Sequence, residues 1–193
     1  MEIKQKIVPD RDQEEKTLLD EDHQIIRLVL NGETNQYRKL VEKYQNPVFN
    51  LFLRMLKNEG QAKEYTQQTF VKAYEALNKF RFEHRFFSWI YRIAINLALS
   101  SLKQQRKYAG MQSMNEVVVT EKYPDDKNEV LRKVLNMLNE KQRVVIDLKY
   151  FSGLSYKEIA ETLQLPEKRV KSRLYDARVR IKELLEKADY FNR

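Results

Sequence analysis

Gly153-Leu154-Ser155-Tyr156-Lys157-Glu158-Ile159-Ala160-Glu161-Thr162-Leu163-Gln164-Leu165-Pro166-Glu167-Lys168-Arg169-Val170-Lys171-Ser172-Arg173-Leu174 decides the fold of the C-terminal third. Ser155 and Glu158 have the spacing of a capping box, in which a hydroxyl and a carboxylate satisfy the open amide donors of a helix start. The helix they open is short, ending near Leu163, and Gln164-Leu165-Pro166 makes a turn. Val170, Leu174, Ala177, Ile181, Leu184 and Leu185 then recur in steps of mostly four and three, which predicts a long helix with one buried stripe. A short capped helix, a three-residue turn and a basic second helix predict a helix-turn-helix whose outer face enters a DNA major groove. That face carries Arg169, Lys171, Ser172, Arg173, Tyr175 and Arg178. Arg169, Ser172 and Arg173 can reach base edges, while Lys171 and Arg178 suit phosphates. A solvated face on an ordinary packing helix is the plainer alternative.

Working toward the N-terminus, Val130, Leu131, Val134, Leu135 and Leu138 predict one amphipathic helix, and Val144, Val145, Ile146, Leu148 and Tyr150 another. The second domain therefore spans 128–193. From 108 to 127 periodicity disappears, with Gly110 and Pro124 interrupting the chain, and a linker is expected. Before it, residues 21–107 read as one helical domain. A helix starts near Asp22 and ends at Gly32, Thr34 can cap the next, and Asn46-Pro47 predicts a break or kink. A helix over about 61–78 is expected to turn Phe70, Val71, Tyr74 and Leu77 inward and Lys63, Glu64, Gln67 and Gln68 outward. A last one runs over about 85–107, with Phe86, Ile90, Ile93 and Leu97 on its inner stripe. Residues 1–20 are charged and poor in large apolar groups, so they are expected to form a flexible extension. The fold class expected is all-α, two small helical domains joined by a flexible linker.

The formal net charge is +8, but it is distributed unevenly. Met1–Asp22 holds eight acids against four bases, Phe80–Lys107 six bases against Glu83 alone, and Pro166–Lys182 seven bases against Glu167 and Asp176. Two separate basic patches suit a polyanionic partner. The chain has no cysteine and two histidines, His23 and His84, which leaves a structural zinc or a thiol nucleophile without the side chains it needs, so no metal and no cofactor is expected. No P-loop or nucleotide-binding glycine pattern is present, which argues against an enzyme. No apolar run approaches the roughly twenty residues that span a bilayer, and the acidic start lacks a signal peptide's basic and apolar regions, so a cytoplasmic protein that is not membrane-inserted is expected.

The first patch interleaves Phe80, Arg81, Phe82, Arg85, Phe86, Phe87, Trp89, Tyr91 and Arg92, with Asn96 two turns into the helix. Such a mixture can stack unpaired bases and hold phosphates, and Trp89, Arg92 and Asn96 share a stripe beside the apolar one. The residues equally fit core aromatics with solvated arginines.

Two segments resemble the extracytoplasmic-function sigma factors of bacterial RNA polymerase. Ala62–Tyr74, Leu77-Asn78-Lys79-Phe80-Arg81 and Phe87–Asn96 look like region 2, and Leu148–Ala160 with Leu165-Pro166 and Val170–Arg178 looks like region 4. The resemblance implies a factor without catalysis that binds the polymerase core and gives it promoter specificity. It places Phe80, Arg81 and Asn96 at a pocket for an unstacked base of the minus-ten element, with Trp89 near the melting edge, and Arg92 belongs to the same minus-ten surface. It puts Glu64, Gln67 and Gln68 on the surface that meets the polymerase clamp helices. The second domain, with Arg169, Lys171, Ser172, Arg173, Tyr175 and Arg178, would read the minus-thirty-five element while resting on the polymerase flap. An anti-sigma factor is the regulator the family implies. This chain departs from the family pattern at Lys63-Glu64-Tyr65, at Lys168-Arg169 and at Asp176, where an acid replaces a frequent base. A helix-turn-helix repressor or activator, with a dimerising or ligand-sensing N-terminal domain, is the competing expectation.

Overall fold

A computed structural model describes residues 11–109 and 129–187, with side chains placed from residue 21 to 107 and over most of 130–187. All regular structure among them is helical. The first domain is built of α1 (Arg11–Leu30), α2 (Tyr37–Leu56), α3 (Glu59–Glu75) and α4 (Phe86–Ala109). The second holds α5 (Glu129–Asn136), α6 (Glu140–Ile146), α7 (Tyr156–Leu163) and α8 (Glu167–Lys187). The expected linker, apart from its first two residues, lies outside the described residues.

Helix α1 starts well ahead of Asp22, so residues 11–20, expected to carry no structure, continue the helix. Further along α1, Asp22 and His23 are buried, Asp22 receiving the Tyr44 hydroxyl and the Lys43 ammonium and His23 lying against Phe80 and Phe82. A helix terminus reads as disordered when its anchors are polar side chains that find partners only in the tertiary structure. After Gly32, at φ +103°, a 3-10 turn over Thr34–Gln36 leads into α2, and Thr34 makes no side-chain cap. The expected break at Pro47 does not occur. Helix α2 runs unbroken from Tyr37 to Leu56 and passes Pro47 in its interior. A proline inside a helix costs roughly 3 kcal/mol, and burial of Leu40, Tyr44, Val48, Leu51, Phe52 and Met55 along the same face offsets it. The Tyr91 hydroxyl on α4 donates to the Pro47 carbonyl at 3.1 Å.

Asn58 caps α3 by accepting from the Gln61 amide at 2.9 Å. The inward face of α3 is Ala62, Thr66, Thr69, Phe70 and Ala73. Val71 and Tyr74, expected inside, are 57 and 42 % exposed. The small Ala62 and Ala73, with threonines whose hydroxyls bond back to Ala62 and Tyr65 carbonyls, let α3 lie close to its neighbours, and that rotation turns Val71 outward.

In the second domain the Ser155–Glu158 capping box forms as expected, and Asn139–Gln142 forms another at the start of α6. A π turn over Asp147–Phe151 prolongs α6, placing Asp147 and Leu148 inside and Tyr150 and Phe151 outside. Gln164, left-handed at φ 52°, closes α7. Val170, Leu174 and Ala177 of α8 are fully buried, as their spacing predicts.

The two domains touch. Helix α7 rests on α4 and α6 on α2. Arg54 of α2 pairs with the buried Asp147, and its guanidinium lies 4.6 Å from the Phe151 ring centre. Arg106 Nη2 donates to Glu140 at 2.8 Å.

Candidate nucleic-acid interface

Recognition helix α8 presents two outer faces flanking its buried stripe. Arg169, Ser172, Arg173 and Asp176 fall at steps of three and four on one of them, and Lys171, Tyr175 and Arg178 on the other. All but the half-buried Arg173 are exposed. Asp176 lies among the base-reading candidates, where an acid can accept from cytosine N4 but repels phosphate.

The second face is larger than the sequence suggests. Arg178 Nε donates to the Tyr150 hydroxyl at 2.8 Å and its Nη2 to the Tyr156 hydroxyl at 3.4 Å. Lys149 and Lys171 approach the Tyr156 ring at 5.0 and 5.6 Å. The hydrogen bond from Arg178 lowers the Tyr156 pKa, and Tyr156 in turn raises that of Arg178. Lys149, Tyr150 and Tyr156 come from the π turn and the start of α7, so periodicity along α8 carries no signal for them.

On the first domain the expected minus-ten residues separate into three environments. Arg81 and Asn96 are exposed, and Trp89, half-buried, leans on Phe80 and Phe86 with ring centres 5.5 and 5.7 Å away. Phe80 is 6 % exposed and lies among His23, Phe82, Phe86 and Trp89. It forms the floor under Trp89, not an open stacking surface. Arg92 is occupied: its Nη2 donates to the Glu161 carbonyl at 2.7 Å and its Nε to the Thr162 carbonyl at 3.3 Å, both at the end of α7. The stripe of Trp89, Arg92 and Asn96 thus exists as expected, but its middle member reaches into the other domain.

Glu64, Gln67 and Gln68 line the outward face of α3, where Gln68 Nε2 donates to Glu64 at 3.0 Å. Val71 and Tyr74 extend this face, giving it an apolar end that sequence reasoning placed in the core. Among the described residues there is no metal-ligating cluster, and no helix is long and apolar enough to cross a membrane.

Two helical domains, the second built around a helix-turn-helix with an exposed basic helix, are the architecture of a DNA-binding protein. Residues 40–108 match the family model described as Sigma-70 region 2, and residues 128–181 that described as Sigma-70, region 4. The chain belongs to the sigma factors of bacterial RNA polymerase, in the extracytoplasmic-function group. It is 30 % identical over 183 residues to the RNA polymerase sigma-H factor of Pseudomonas aeruginosa, covering 86 % of this chain and 95 % of that one. To the sigma factor SigW of Bacillus subtilis it is 29 % identical over 177 residues, 83 and 94 % covered. Solved structures share the fold: the sigma factor RpoE of Bartonella quintana at TM-score 0.67 and 23 % identity, over 78 and 96 % of the two chains, and CnrH at 0.66 and 24 %, over 84 and 95 %. The protein is a transcription initiation factor that binds the polymerase core and directs promoter-specific initiation, its first domain serving the minus-ten element and its second the minus-thirty-five element.

Proposed function

We propose that the residues share this work as follows. Arg81, Trp89 and Asn96 engage the melted minus-ten strand, with Arg92 on its backbone and Phe80 holding Trp89 from beneath. Arg169, Ser172 and Arg173 read minus-thirty-five base edges, while Lys171, Tyr175 and Arg178 hold the flanking phosphates. Glu64, Gln67 and Gln68 meet the clamp helices of the core. Residues 21–107 and 128–193 are the two readers, and 108–127 joins them. The factor performs no catalytic step of its own and works in the cytoplasm, where the polymerase is.

One observation carries this assignment: α8 exposes every expected minus-thirty-five residue except the half-buried Arg173 while burying Val170, Leu174 and Ala177. A surface helix kept only for packing has no need to hold Arg178 on two tyrosine hydroxyls. Capture by an anti-sigma factor is part of the same proposal. RpoE was solved with the anti-sigma factor NepR and CnrH with the cytosolic domain of CnrY. Run-off transcription with core polymerase over genomic fragments tests the assignment. Promoter-specific transcripts only in the presence of both components are expected, with weak binding of the factor alone to duplex DNA. Tight operator binding without core, and no transcript with it, would show a repressor or activator instead.

A further inference from the structure

Helix α8 carries four acids, Glu167, Asp176, Glu183 and Glu186. Three are tied along the helix: Glu167 takes the Lys171 ammonium at 2.7 Å, Glu183 the Arg180 guanidinium at 3.1 Å and Glu186 the Lys182 ammonium at 3.7 Å. Such pairs three and four residues apart stabilise a helix surface. Asp176 is exposed and makes no hydrogen bond or ion pair among the described residues, although Arg173 and Arg180 stand three and four positions from it. Its carboxylate does not serve the helix dipole either, since acids help in the first turn and Asp176 lies in the middle. Aspartate is also a poorer helix former than glutamate. On a basic face that approaches a polyanion, this side chain weakens the attraction to phosphate, so helix stability and charge both speak against an acid at this position.

At about 3.6 residues per turn, Asp176 falls inside the arc bounded by Ser172 and Arg173, with Arg169 beside it. A carboxylate accepts hydrogen bonds and donates none. The amino donors that bases show in the major groove are cytosine N4 and adenine N6. Adenine N6 lies between two acceptors, its own N7 and thymine O4, and these repel the second carboxylate oxygen. Cytosine N4 has one such neighbour, guanine O6, and leaves its other side free. The rise from Arg173 to Asp176 is about 4.5 Å, on the order of one base-pair step of about 3.4 Å. We infer that Asp176 is a specificity-determining residue of the minus-thirty-five domain, selecting a cytosine through its N4 amino group in the base pair next to the one read by Arg173. The inference rests on the base-reading role proposed for Arg169, Ser172 and Arg173.

Run-off transcription with core polymerase tests this on a promoter found among genomic fragments, its minus-thirty-five element randomised and each template tagged by a transcribed barcode. Sequencing the transcripts reads base preference position by position. The parent should favour cytosine, on one strand and at one position, about five- to tenfold. Asp176→Ala, a substitution that an exposed helical site accepts, should lower that preference below about twofold and leave the other positions as they were. Asp176→Asn should move the preference to adenine, because an amide pairs with both N6 and N7. Arg173→Ala should relax the neighbouring position and not this one. If Asp176→Ala raises transcripts evenly over all sequences with every preference intact, the acid only repels phosphate and the inference is overturned. Retained cytosine preference in Asp176→Asn overturns it as well. Failure of the sigma assignment looks different, since the parent itself would then give no promoter-specific transcripts with core.

Discussion

Phe80→Ala separates a core aromatic from a base-stacking one. The ring is 6 % exposed and meets His23, Phe82, Phe86 and Trp89 at centroid distances of 5.7, 5.4, 6.1 and 5.5 Å. Truncating a buried Phe costs about 3–5 kcal/mol, and four ring neighbours, each worth about 0.5–1.5 kcal/mol beyond its area, push this site toward the upper end. A domain over 21–107 holds about 4–13 kcal/mol in total at ~0.05–0.15 per residue. The substitution therefore removes about a quarter of its stability at the least. At about 4–8 °C per kcal/mol for a domain of this size, a loss of ~4 kcal/mol lowers the midpoint by about 16–32 °C. Thermal melting of the full chain by far-UV circular dichroism reads this directly, and Phe80→Leu, which keeps most of the apolar contact, should fall well short of it. If Phe80→Ala melts within about 2 °C of the parent, yet transcribes only from a pre-melted template, the ring is part of the base pocket and its placement in the core is wrong.

Replacing Arg173 with alanine should cost about 1–3 kcal/mol of discrimination at its minus-thirty-five position, whereas Lys171→Ala should weaken all sequences and reduce the salt slope by about one. Both are measured by promoter competition in the presence of core, and normal promoter choice by Arg173→Ala would move the base-reading face elsewhere on α8. Trp89→Ala and Asn96→Ala should impair open-complex formation more than recruitment, and a pre-melted template should restore transcription. Failure of that rescue counts against a melting role. Burial raises the Glu158 pKa, but its hydrogen bonds to the Ser155 amide and hydroxyl and the nearby Arg85 guanidinium outweigh this and leave it below its ordinary value. A lowered carboxylate pKa stabilises the folded state above the unfolded pKa of about 4.3, and that contribution is lost as pH falls through the lower folded value. Melting at stepped pH should show a loss of stability below about 4.3 that is smaller in Glu158→Gln.

The helical architecture, both regions of the helix-turn-helix and the outward residues of α8 were legible because they depend on local chemistry. A capping box needs residues three apart, and a buried stripe needs apolar groups at steps of three and four. Asn139 and Gln142 had that spacing too, so the start of α6 was readable in principle. Pro47 misled because its local penalty is set against burial that only the folded bundle provides. Val71 and Tyr74 misled in another way: periodicity offered two nearly equivalent faces of α3, and the close approach of Ala62 and Ala73 to neighbouring helices chose between them.

Residue type and spacing alone thus determined that this protein is helical, that its C-terminal third carries a basic recognition helix and that a second basic, aromatic face precedes it. Only the tertiary structure decided what those aromatics and arginines touch. Phe80 is a floor and Arg92 a bridge because His23, 57 residues before Phe80, and Glu161 and Thr162, 69 and 70 residues after Arg92, are brought beside them by packing. A side chain's partners across the fold depend on where whole helices come to rest, and no period along one helix encodes that.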